Sequence, residues 1–411
     1  YQTEATSKII ATDSNGIKEP IEYVWSTSIN NTTYSQTVSN EGTVTIGDVT
    51  GDFYLIAHAC DNAGNCTRKV SNKYQINNQK PEIVFIPNGN TTYEAKKDVV
   101  IKAISNGPAL DLATLKYVVS QNINSNVTKE YTNNQTIKLE NMSGVYYIIA
   151  EACDTLGNCT REVSNPYKLD GEKPIVRYIS KTNTNKTNGQ AVEYATKNDT
   201  ITIVFEGTDN ISYNDGLTTN DITVRVNGNV VNAAKVLDKT NIENGKRYTL
   251  TLENVTGEGI LTISIDKTKV KDNAGNEAVV GVITPGIIMD NTAPTITYDK
   301  NGNNEYQKSQ TSKISVSDNR EVNTSENKYI WSTDTNATPN VSFTSGSSYT
   351  KDGVTGDYYI VATACDKAGN CNTKYASNVF KIDNTKPTIT FDVNGNSTYQ
   401  KSQTSKITVN D

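Results

Sequence analysis

The chain has 411 residues, 35% hydrophobic and 20% charged, with 39 basic against 45 acidic residues and a net charge of -6. That length holds about three or four domains of ordinary size, each with a small core of its own. The mixed, slightly acidic charge leaves no basic stripe for nucleic acid, and no apolar run approaches the length of a membrane span, so neither partner is expected for this stretch.

From the N-terminus the chain repeats itself. "YQTEATSKIIATD" (1–13) aligns with 306–318 and again with 399–411, so the sequence starts and stops at equivalent places in a repeat. This reads as a window on a longer array; a sharper version has the last strand of one chain completing the first domain of another. Strand-like stretches follow at 23–28 ("YVWSTS") and 43–59, rich in β-branched and aromatic residues and without helical period. "ACDNAGNC" (59–66) then closes a five-residue loop between cysteines, and it returns as "ACDTLGNC" (152–159) and "ACDKAGNC" (364–371). Prolines at Pro81, Pro174, Pro294 and Pro387 open successive units. The divisions expected are 1–78, lacking its first strand, 79–170, the longer cysteine-free 171–291, 292–384, and the opening strands of a further repeat at 385–411. Within each, short strands alternate with Gly, Asn, Asp and Ser clusters, which predicts an all-β sandwich.

The strand before each cysteine loop has period two. Phe53, Leu55, Ala57 and Ala59, with the matching Tyr146, Ile148, Ala150, Ala152 and Tyr358, Ile360, Ala362, Ala364, form the expected core face. The opposite face carries Tyr54 and Ile56, Tyr147 and Ile149, Tyr359 and Val361, read as an exposed stripe for lateral contact with other copies in a filament or bundle.

The order Gly-x-Tyr-x-x-x-Ala-x-Ala-x-Asp-x-x-Gly-Asn, then a strand, then a junction of the type Asp-Asn-Thr-Lys-Pro, resembles the bacterial immunoglobulin-like repeats of cell-surface and adhesin-type proteins. The matching stretches are Asp61–Asn65, Asp154–Asn158, Asp272–Asn276 and Asp366–Asn370, with junctions at Asp170, Asp290 and Asp383; the first junction has Asn77 where the others have Asp. The resemblance implies tandem immunoglobulin-like β-sandwiches in an elongated array. With the last hairpin placed this way, the cysteines stand at its two feet, and disulfides Cys60–Cys66, Cys153–Cys159 and Cys365–Cys371 are expected, implying an oxidising, extracellular location at a cell surface. One histidine in the chain cannot supply zinc sites. In the third repeat Lys271 and Glu277 stand at the feet instead, an opposite-charge pair.

Turn chemistry alone explains Asp-x-x-Gly-Asn. The alternative is calcium, with Asp61, Asp154, Asp170, Asp272, Asp290, Asp366 and Asp383 as candidates and a loop Asp joining a junction Asp, for instance Asp366 with Asp383. No cofactor is otherwise expected. His58 stands alone, and no phosphate-binding loop, dinucleotide fingerprint or zinc-protease helix occurs, so no enzyme is expected. The function expected is a structural stalk or filament-forming region. The alternatives are an adhesin module binding a glycan or host protein, with the insertion at 207–221 as a candidate loop, and a calcium-rigidified spacer.

Overall fold

A computed structural model describes residues 1–183 and 193–411, whose regular secondary structure is almost entirely β-strand; among these residues the only helical segments are two 3-10 turns, Thr219–Asp221 and Lys267–Lys269. The inserted residues 184–192 of the third repeat lie outside the described residues. The chain divides into two compact units. One comprises Tyr1–Pro174 with Asp209–Asn214 and Lys271–Glu277, and the other Ile175–Thr208, Asp215–Val270 and Ala278–Asp411. The architecture is tandem β-sandwiches.

The second repeat, in the first unit, shows the pattern. One sheet orders Gln135–Glu140, Lys96–Ile104 and Glu82–Ile86. The facing sheet orders Lys129–Glu130, Leu110–Ser120, Ser143–Asp154 and Cys159–Val163. Phe85, Ile101, Leu115, Ile148, Ala150 and Tyr167 meet between them as one apolar cluster, each from the inward phase of its strand. In the second unit the fourth repeat repeats this plan, with Ile314, Phe343, Ile360, Ala362, Ala364 and Phe380 as its core. The third repeat builds two five-stranded sheets and stacks Phe205 on Tyr248 at 4.9 Å.

The last strand of a cysteine-bearing repeat is broken, and the break sets its parity. Cys159–Val163 pairs with the end of Ser143–Asp154 and Tyr167–Asp170 with its start. Between Ile149↔Val163 and Tyr146↔Tyr167 there are two residues on one side and three on the other, one extra residue. The same step separates Ile56↔Val70 from Phe53↔Tyr74 and Val361↔Ala376 from Tyr358↔Phe380. Because side chains alternate, one extra residue moves everything after it to the other face. Tyr167 and Phe380 thereby enter the core, both fully buried. A serine holds the break: Ser71, Ser164 and Ser377 each accept a 2.9 Å hydrogen bond at Oγ from the backbone N–H of Leu55, Ile148 and Ile360. Each serine N–H donates back to the carbonyl of the same partner. The Ser-Asn pairs at 71–72, 164–165 and 377–378 are the sequence trace of this device.

The stripe expected on the outside of the sheet is not exposed. Ile56, Ile149 and Val361 are fully buried, and Tyr54, Tyr147 and Tyr359 are half-buried. Ile149 lies directly between Val118 and Val163 on its own face. Two residues before Val163, Arg161 reaches the carbonyls of Ile123 and Ser125 in the connection after Leu110–Ser120. Arg68 binds the carbonyls of Ile29 and Asn31, and Lys374 that of Asn336. A long cationic side chain on the same face thus ties that connection to the last strand. A period-two pattern assigned this face to solvent because it cannot register a loop folded back over it.

Ile149→Ala therefore behaves as a core truncation, lowering the stability of its repeat by about 2–5 kcal/mol. Thermal unfolding of the full chain checks this; a change within about 0.5 kcal/mol, usual for a surface site, would restore the exposed stripe.

Candidate cation sites at the repeat junctions

The hairpin loop is organised by its own first and last residues. Oδ1 of Asp61, Asp154, Asp272 and Asp366 accepts the backbone N–H of Asn65, Asn158, Asn276 and Asn370 at 2.8–2.9 Å. Oδ2 accepts the side-chain amide of the same asparagine at 2.5–2.8 Å. The glycine before each asparagine has φ between +85° and +97°, where a side chain would be strained. At the loop's feet Cys60–Cys66, Cys153–Cys159 and Cys365–Cys371 are joined, each with Cα atoms 4.0 Å apart as a directly opposed cross-strand pair. Lys271 Nζ and Glu277 Oε1 stand 3.8 Å apart in the repeat without cysteines.

The asparagine amide has a second bond. Asn158 Nδ2 donates to the carbonyl of Asn77 at 3.1 Å, Asn276 Nδ2 to that of Asp170 at 2.7 Å, and Asn370 Nδ2 to that of Asp290 at 2.8 Å. The acceptor is in every case the junction residue four positions before the opening proline of the asparagine's own repeat. The loop therefore meets the junction that precedes its repeat. This corrects the pairing of Asp366 with Asp383: the hairpin turns at the end of the sandwich where the repeat begins, and the last strand carries the chain away from it to Asp383. Asp383 accepts from Thr355 and Thr385 instead.

Two clusters result. In the first unit Asp170, Asp209 and Asp272, and in the second Asp290, Asp318 and Asp366, bring carboxylate oxygens within 4.8 Å of one another. Asp209 and Asp318, absent from the candidates above, follow directly on the strands Ile201–Thr208 and Ser309–Ser317. The recurring Asp-Asn at 209–210 and 318–319 was their available signal. Asp170 and Asp290 are 0% exposed, yet both carboxylate oxygens of Asp170 and Oδ2 of Asp290 have no hydrogen-bond partner. Oδ1 of Asp209 and Oδ2 of Asp318 are also buried and unpaired. Burial, reinforced by Asp209 and Asp272, pushes Asp170 up to about 6. Burial, with Asp366 and Asp318 as like-charged neighbours, does the same to Asp290, also to about 6. Asp366 rises by burial, whereas the exposed loop of the first repeat keeps Asp61 low through its hydrogen bonds from Asn65.

Three converging carboxylates, two of them in each cluster with an orphaned oxygen, form a hard, oxygen-only donor set of the kind that suits calcium. Asp61 and Asp154 belong to neither cluster. His58, near Cys60 and Cys66, stacks on Tyr34 at 5.0 Å and lies 3.2 Å from Glu22, while both sulfurs are committed to the disulfide. The loop at 207–221 is occupied within its own repeat: Asp209 caps Ile211 and Ser212, Asp215 accepts from Lys239 and Tyr248, and Leu217 is fully buried.

No family model and no curated protein matches the chain. Among solved structures it is similar to the I67–I69 fragment of titin, at 13% identity over 70% of this chain and 93% of that one, with a TM-score of 0.35. Cadherin domains 1–5 of protocadherin gamma B2 match at 13% identity over 94% and 74%, TM-score 0.29. SGBP-B of the Bacteroides ovatus mixed-linkage glucan utilization locus, solved in complex with a mixed-linkage heptasaccharide, matches at 11% identity over 77% and 73%, TM-score 0.18. None of these likenesses carries function to this chain.

The raised carboxyls give the metal-free protein a definite pH dependence. Between 3.8, the ordinary value, and about 6 the unfolded chain loses protons that Asp170 and Asp290 retain when folded, so stability falls across this window and stays low above it. In chelator, the full chain melts at a lower temperature at pH 7 than at pH 5, and Asp170→Asn with Asp290→Asn flattens the slope. An equal slope in the double variant would remove the carboxylate clusters as its cause.

Proposed function

We propose that this chain is an extracellular structural region, a stalk or filament-forming part of a bacterial surface protein, in which successive β-sandwiches are fixed to one another at their junctions. The observation that carries this reading is the recurring bond from the hairpin asparagine to the preceding junction carbonyl at Asn77, Asp170 and Asp290. A device repeated at three successive joints serves the connection between repeats. The three disulfides support assembly in an oxidising, extracellular compartment.

The partners in this reading are neighbouring repeats of the same chain and, in a filament, other copies. Calcium at the Asp170 and Asp290 clusters would neutralise their charge and link the junction aspartate to two loops of the following repeat. These residues would hold the ion, and its contribution is electrostatic cross-linking. A glycan or host protein as direct ligand is the competing reading, but the insertion best suited to it is engaged internally.

Chelation is expected to widen the distribution of angles between repeats in single-particle electron micrographs of the full chain, and added calcium to narrow it. Glycan and host-protein binding assays on the same material are expected to show no saturable signal. Saturable binding by the isolated chain would replace the structural reading with an adhesive one, and angles unaltered by chelator would discard calcium as a junction element.

A further inference from the structure

The three junctions preceding the second, third and fourth repeats share a geometry but differ in chemistry. The junction position is Asn77, Asp170 or Asp290, and the hairpin position Asp154, Asp272 or Asp366. The residue directly after the strand Lys96–Ile104, Ile201–Thr208 or Ser309–Ser317 of the following sandwich is Ser105, Asp209 or Asp318. Two of the three carboxylates are thus missing from the first junction.

At the first junction the two changed positions, 77 and 105, hold neutral groups with hydrogen-bond partners. Asn77 is 3% exposed, and both ends of its amide are engaged: Nδ2 donates to the Asn106 carbonyl at 3.0 Å, and Oδ1 accepts the Gln79 N–H at 2.8 Å. Ser105 donates to the Pro108 carbonyl. Asp154 accepts from Leu156 and Asn158 at Oδ1 and from the Asn158 amide at Oδ2. Beside them Gly107 has φ +138°, and a Cβ there would lie 2.3 Å from Asn77 Nδ2. The backbone gives way to the amide at this point. An amide nitrogen donates and cannot ligate a cation, and Nδ2 is hydrogen-bonded where the equivalent oxygens of Asp170 and Asp290 have no partner.

We propose that the chain binds two divalent cations, at Asp170–Asp209–Asp272 and Asp290–Asp318–Asp366, while the Asn77 junction is locked without one, positions 77 and 105 deciding which kind of joint forms. The proposal rests on the reading of the acidic clusters as cation sites. It makes calcium a selective control: withdrawal releases the joints at Asp170 and Asp290 and leaves the joint at Asn77 closed.

Calorimetric titration of the full, disulfide-intact chain with calcium chloride tests this, together with hydrogen exchange in calcium and in chelator. The expected stoichiometry is two, falling to one in Asp272→Asn or Asp366→Asn and unchanged in Asp154→Asn. Chelator is expected to speed exchange by tenfold or more around 170–172 and 290–292, and to leave 77–79 as it was. No bound calcium would overturn the cation reading itself. A stoichiometry of three, or calcium-dependent exchange at 77–79, would overturn the division between joints while leaving that reading intact. Because exchange is read on the unmodified chain, the outcome does not depend on any variant folding.

Discussion

The asparagine of the hairpin loop is the group on which the rest of the arrangement depends. Its backbone N–H and one amide hydrogen go to the loop aspartate, which orders the loop, and the amide also reaches the carbonyl of the preceding junction residue. A planar amide offers two donors at fixed angles. Loop order and junction position therefore become one condition. The aspartate cannot shift without moving the asparagine, and the asparagine cannot shift without releasing the preceding repeat.

Upstream of that loop, the break in the last strand decides what arrives at the junction. If the ladder continued without its extra residue, Tyr167 and Leu169 would turn out of the core and the parity of Asp170 would reverse with them. Ser164 makes the extra residue tolerable by giving the Ile148 N–H a partner where the ladder opens. Leaving that buried N–H unpaired costs about 1–3 kcal/mol. The core of one repeat and the charge at the next joint are thus set by the same serine.

Much of this was legible in the sequence, and the failures have physical causes. The inward phase of Ile148, Ala150 and Ala152 followed from alternation, because one side of a sandwich sheet must pack on its partner. Ile149 was misread because alternation distinguishes two faces but does not say which loops return over them. The hairpin aspartates and Asp170 and Asp290 stood out as repeated motifs. Asp209 and Asp318 did not, since their roles depend on the second strand ending beside a hairpin some fifty to sixty residues away, a proximity that only the fold creates. The mistaken partner Asp383 came from reading along the chain, where it follows the hairpin closely; the strand between them carries it to the other end of the sandwich.

Charge and covalent linkage divide the work of fixing these hairpins. A disulfide across so short a loop contributes about 2 to 3 kcal/mol in the chain-entropy model, and an opposite-charge cross-strand pair at most about 1 kcal/mol. The second repeat has the disulfide Cys153–Cys159 and a neutral joint; the third has Lys271 and Glu277 in place of cysteines and an acidic cluster at Asp272; the fourth has both Cys365–Cys371 and the cluster at Asp366. None of these three hairpins is left to backbone hydrogen bonds alone. The third, lacking a covalent staple, would gain the most from a cation, because the like charges of Asp170, Asp209 and Asp272 repel one another where the loop carrying Asp272 meets the preceding junction. In that repeat the ion would replace the disulfide as the principal cross-link, a link set by the surrounding medium and not by oxidation.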